Sequence, residues 1–140
     1  MKTILAVYLA VLACFLLLDF VWLGLIASDF YAAALGPLLK QPIDVLPAAI
    51  FYAAYAAGIV YFAVRPGTGR LPARTAAFRG ALLGLLAYGA YDLTNLATLK
   101  DWPLFMSIVD MAWGAVVTGL SAAAGALAAG FRNGPPGRSG

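Results

Sequence analysis

The chain has 140 residues, 64% of them hydrophobic and 11% charged, with a formal net charge of +3. Soluble domains are roughly 45–50% apolar and about 25% charged. A water-soluble fold of this length has too little interior to hide the excess, so the solvent is lipid. There is no histidine, no glutamate and a single cysteine, Cys14. That composition excludes a zinc centre built on His or Cys, a disulfide framework and histidine acid–base chemistry, and no metal or cofactor is expected.

The first apolar run covers about residues 4–27, behind Lys2. It exceeds the roughly 7–15 residues of a signal-peptide core and matches the roughly 20 needed to span a bilayer. VLAC at 11–14 faintly resembles a lipoprotein cleavage box, but the run continues straight through it. Asp19 lies in this span, with Trp22 three residues on. The segment 28–42, SDFYAAALGPLLKQP, is too short to cross. It predicts a short helix on the membrane surface, capped by Ser28 or Asp29.

A second span is expected over about 46–64, with Pro47 tolerated in its first turn. It carries Tyr52 and Tyr55 and a small-residue stripe, Ala49, Ala53 and Ala57. RPGTGRLPAR, 65–74, predicts a turn-rich loop. The third span, about 76–98, holds a GxxxG step at Gly80 and Gly84, then Tyr88, Tyr91, Asp92, Thr94 and Asn95. After the KDWP turn, the fourth covers about 104–129 with Ser107, Asp110 and Trp113, and a stripe of Ser121, Gly125 and Ala129. Such stripes let helix backbones approach in lipid, here chiefly to pack the bundle. Trp102 is expected as an interfacial anchor, and Tyr61 and Phe62 as belt residues at the inner edge. The Gly/Pro tail, 131–140, is expected to be disordered, leaving 1–130 as one transmembrane domain. The expected fold is thus all-α, a bundle of four transmembrane helices with a short interfacial helix between the first two.

Orientation follows from the cations. Lys2, Arg65, Arg70, Arg74, Arg79, Arg132 and Arg138 fall on one side, and only Lys40 and Lys100 on the other. The positive-inside rule makes the richer side cytoplasmic, so both termini are expected inside. The basic balance therefore reads as membrane orientation and not as nucleic-acid binding. At about 1.5 Å per residue, Asp19, Asp92 and Asp110 all lie roughly 9–12 Å below the outer end.

Each aspartate has helpers on its own helical face: Trp22 for Asp19, Tyr88 and Asn95 for Asp92, Ser107 and Trp113 for Asp110. Tyr52, Tyr55 and the two indoles can donate hydrogen bonds to the carboxylates. A lone polar residue in a span often only ties helices together. Three at one depth, with no Lys or Arg among them, point to a site, and like charges so placed require at least one to keep or share a proton. The candidate ligand-binding residues are Asp19, Trp22, Tyr88, Tyr91, Asp92, Asn95, Asp110 and Trp113. DFVW (19–22) and DMAW (110–113) share a D-x-x-W pattern on helices of opposite direction, as an inverted repeat would leave.

LDFVWLG (18–24), AYDLTNLATL (90–99), DWPL (101–104) and VDMAWG (109–114) together resemble a family of small bacterial four-helix membrane proteins, domain of unknown function family 2177. The resemblance runs through nearly all of the chain except its tail, and YDLTN is its most specific part. It implies a bacterial inner-membrane protein and matches Asp19, Trp22, Tyr91, Asp92, Thr94, Asn95, Asp110 and Trp113. It implies no activity. The function expected from the residues is a polar pocket toward the outer leaflet that binds or moves a small amphiphile, a lipid head group, or a cation or proton. The alternatives are an accessory subunit packed against a larger membrane complex, and a lipid-modifying enzyme using the three aspartates as acid, base or Mg²⁺ ligands. The expected partners are membrane lipids and other membrane subunits.

Overall fold

Long apolar stretches become helices in lipid because every backbone N–H and C=O must find its partner within the segment. The computed structural model describes residues 2–64 and 71–132, without the side chains of 131 and 132. Helix α1 runs Lys2–Val21 and continues as a π-helical turn, Trp22–Ile26. Then come α2, Ser28–Leu35, with a 3₁₀ turn at Gly36–Leu38, and α3, Val45–Ile59, continuing as a π-helical turn at Val60–Val64. Helices α4, Ala73–Thr98, and α5, Leu104–Arg132, complete the chain. Most of the expected loop 65–74 and of the expected disordered tail 131–140 lies outside the described residues.

Three helices are long and apolar enough to cross a membrane: Lys2–Ile26, Val45–Val64 and Leu104–Gly130. Helix α4 is long enough but carries Arg79, Tyr88, Asp92, Thr94 and Asn95, which dilute its apolar character. Large apolar side chains point outward all round, among them Leu17, Leu86 and Phe105. A soluble protein could not hold such a surface, and lipid accepts it at no cost.

Helix α5 is the centre of the packing, against α4 on one side and α1 on the other, while α3 leans on α1. The core joins Val7, Val11 and Phe15 of α1 to Ile59 and Val64 near the end of α3 and to Val117 and Ala122 of α5. Where α4 meets α5 the two backbones touch. A Cβ added at Gly84 would stand 2.0 Å from the Gly114 carbonyl oxygen, and one at Gly114 would stand 2.3 Å from the Tyr88 ring. The GxxxG step and the Ser121–Gly125 stripe thus serve packing within the chain, as expected: Gly125 receives Val11 and Val64.

The Ala49–Ala53–Ala57 stripe departs from this, because all three alanines are exposed. The bulkier Tyr52, Tyr55 and Ile59 occupy the inward face of α3, and the alanines are left on the opposite side. A further expectation is corrected. Neither Ser28 nor Asp29 caps α2; Ala27 takes the N-cap position without a side-chain hydrogen bond. Its backbone N–H is instead donated to Trp22 O at 2.7 Å, which closes the π turn. The first and second apolar runs are not uniform α-helices, since each ends in a π turn that shifts the register of the side chains after it.

Candidate functional site

Phe15, one turn before Asp19, packs its ring against Tyr52 and Tyr55 at centroid distances of 5.8 and 5.4 Å. That contact brings α3 close enough for Tyr52 Oη to donate to Asp19 Oδ2 at 2.5 Å. Trp113 Nε1 donates to Asp19 Oδ1 at 2.9 Å. Asp19 is 6% exposed, and each of its oxygens has a donor.

Trp22 opens the π turn and stacks flat on Trp113, with centroids 4.5 Å apart and planes 9° from parallel. Its Nε1 donates to Tyr31 Oη at 3.2 Å, and Tyr31 Oη donates to Asp110 Oδ1. The two D-x-x-W stretches therefore interlock. Trp113 binds the aspartate of the first directly, and Trp22 reaches the aspartate of the second through Tyr31. Tyr31 lies on α2, outside the long helices. Burial, then the hydrogen bond to Asp110, push its phenol above the ordinary range.

Asp92 is fully buried, and neither carboxylate oxygen has a hydrogen-bond partner. The polar side chains beside it are Asp110, which faces it as the second acid of a pair, and Ser107. The close α4–α5 contact sets this register: Gly84, Tyr88 and Asp92 follow at four-residue steps on one face of α4. On α5 the facing residues are Thr118, Gly114, Asp110 and Ser107. Trp102 Nε1 donates to Ser107 Oγ at 2.9 Å. The expected interfacial anchor is therefore tied into the site's rim, with Tyr91 edge-on to its ring at 5.8 Å.

The remaining expected residues are placed as follows. Tyr88 is half-buried over Gly114 and forms wall. Tyr91 is 56% exposed and packs edge-on against Trp102, with no hydrogen bond to a carboxylate among the described residues. Asn95 is half-buried beside Tyr91, and no hydrogen bond among the described residues links it to an aspartate. Tyr55 pairs with Thr118 Oγ1 at 3.0 Å and not with a carboxylate. Among the described residues no three Asp or Cys side chains gather as metal ligands would. Asp19, filled by donors, is joined to the Asp92–Asp110 pair through Trp113, Trp22 and Tyr31.

Sequence reasoning missed Tyr31 and Thr118. Thr118 carried a signal, standing eight residues after Asp110 on the same helical face. For Tyr31 the signal was weak, a hydroxyl in a segment whose composition reads as interfacial.

A family model described as "Predicted membrane protein (DUF2177)" matches residues 4–127. The chain belongs to this family. The match contains every residue of the site, from Asp19 to Thr118, and agrees with the resemblance carried by the YDLTN stretch. Neither the curated proteins nor the solved structures give a significant match.

Proposed function

We propose that this member of the family is a bacterial inner-membrane protein that crosses the bilayer four times, with 1–130 as one domain and both ends in the cytoplasm. In its outer half it binds a ligand that donates hydrogen bonds to the Asp92–Asp110 pair, a lipid head group or a small cation. The fourth crossing is α4, and its polar residues are those of the site. The distribution of Lys and Arg supports the orientation.

Asp92 carries the reading. A charged aspartate near the bilayer centre costs about 2.5–3.5 kcal/mol on insertion scales, and polar groups so placed face the bundle interior and find partners. Asp19 follows that rule with Tyr52 and Trp113. Asp92 faces inward with both oxygens bare. An accessory subunit covered by a partner would present its unpaired carboxylate outward, so the burial of Asp92 favours a site within this chain.

The test compares Asp92→Asn with Asp92→Leu by native mass spectrometry of lipid and small molecules that co-purify. Asn keeps size and hydrogen bonding but removes the charge. Both variants are expected to fold and to lose a ligand that wild type carries. Identical ligand content in wild type, Asp92→Asn and Asp110→Asn would contradict the reading and leave the carboxylates as packing elements.

A further inference from the structure

We propose that the Asp92–Asp110 pair binds a protonated primary amine, –NH₃⁺. The inference rests on the site reading above and names its ligand class.

Asp19 has one donor on each oxygen, from Trp113 and from Tyr52. Asp110 has Tyr31 on Oδ1 and, among the described residues, none on Oδ2. Asp92 has none on either oxygen. Asp92 and Asp110 face each other closely enough to share one proton, with Ser107 beside them, and a cationic donor can take that proton's place between the two carboxylates. An ammonium group carries one positive charge and three N–H donors fanned from one atom, and each such bond to a carboxylate is charge-assisted.

Among the described residues no Lys or Arg pairs with Asp92 or Asp110; Lys40 is exposed and paired with Asp44 at 3.0 Å. Mg²⁺ asks for six oxygens and Ca²⁺ for six to eight. Two carboxylates and the Ser107 hydroxyl supply too few for Ca²⁺, and Mg²⁺, which keeps several of its waters, needs a hydrated site where Asp92 is fully buried. An ammonium needs fewer partners, and the apolar stem behind it is at home in a membrane.

Asp92 is fully buried, whereas Asp110 is only partly so and is held by Tyr31 of α2. A head group meets the more exposed Asp110 first, with Asp92 facing it. The amine can come from an aminated lipid or from a free amine, and the chemistry at the carboxylates is the same.

The experiment places the protein in nanodiscs of equal parts phosphatidylethanolamine, phosphatidylcholine and phosphatidylglycerol with identical acyl chains, and identifies by native mass spectrometry the lipid it retains. Stepwise N-methylation of the ethanolamine head group then removes donors at constant charge. Wild type should retain phosphatidylethanolamine over phosphatidylcholine by at least about ten-fold, the effect of one lost charge-assisted hydrogen bond. Retention should fall with each methyl group, and Asp92→Asn should erase the preference. If the lipids are retained equally but free ethanolamine binds wild type and not Asp92→Asn, the amine class stands and its source is soluble.

Equal retention of the lipids together with no Asp92-dependent ethanolamine binding overturns the proposal. In that event a different lipid or cation whose binding falls in Asp92→Asn would preserve the site and reject the amine. No Asp92-dependent ligand at all would reject both. Should Asp92→Asn fail to fold, Asp110→Asn is read by the same criteria.

Discussion

Asp19 and Asp92 are the same residue type at similar expected depth, and their surroundings separate them. Asp19 is a tie between α1, α3 and α5, made by Tyr52 and Trp113; Asp92 ties nothing. Removing the acceptor from the first pair strands two buried donors, so Asp19→Leu is expected to destabilise more than Asp92→Leu, by about 1–2 kcal/mol at the upper end of membrane hydrogen-bond values. Thermal unfolding in detergent checks the order, and the reverse order would count against these assignments. Tyr31→Phe removes one donor to Asp110 and one acceptor from Trp22, for an expected loss of about 1–3 kcal/mol. The same residue carries a pH dependence. Burial first, and the bond to Asp110 second, raise its phenol above the ordinary 10.0, so the folded chain holds this proton more tightly than the unfolded one. That stabilisation is complete below about pH 10 and is lost as pH rises above it. The wild-type melting midpoint should therefore drop more steeply above about pH 10 than that of Tyr31→Phe, and parallel curves would refute the bond. The aspartates were legible in the sequence because a charge in an apolar run stands out. Tyr31 was not, since aromatics in an interfacial helix have an ordinary explanation as anchors.

Among the elements, the α4–α5 pair sets the register on which Asp92 faces Ser107 and Asp110. Gly84→Ala would place a Cβ 2.0 Å from the Gly114 carbonyl, and the helices would have to part. The expected loss is about 1–3 kcal/mol, the usual cost of overpacking. Gly58→Ala is the control: nothing lies within 4 Å of its Cβ position, and better helix propensity should add up to about 1 kcal/mol. Equal melting temperatures for the two variants would refute the contact. The helix boundaries were legible to within a few residues, because apolar runs bounded by Lys, Arg, Gly and Pro have little choice in lipid. The two π turns were not, since WLGLI and VYFAV have no composition that distinguishes π from α. Which small-residue stripe would be buried was equally hidden. Ala49, Ala53 and Ala57 read like Gly80 and Gly84, and only the bulk of Tyr52, Tyr55 and Ile59 on the other face decided it.

For the whole molecule, four crossings predict that cysteines placed at Gly67 and at Lys100, in a Cys14→Ser background, react with impermeant reagents from opposite sides of the membrane. Gly67 should be reached from the cytoplasm and Lys100 from outside; labelling from one side would contradict the fourth crossing. The outward apolar surface and the inward carboxylates together describe a protein that uses lipid as its solvent and keeps one buried acid without a partner of its own. The most direct measurement is an experimental structure of the protein in a bilayer containing phosphatidylethanolamine. The account predicts a non-protein group within hydrogen-bond reach of both Asp92 and Asp110, below the Tyr31 contact. Asp92 with both oxygens bonded to side chains of this chain, or of a second copy, would contradict it.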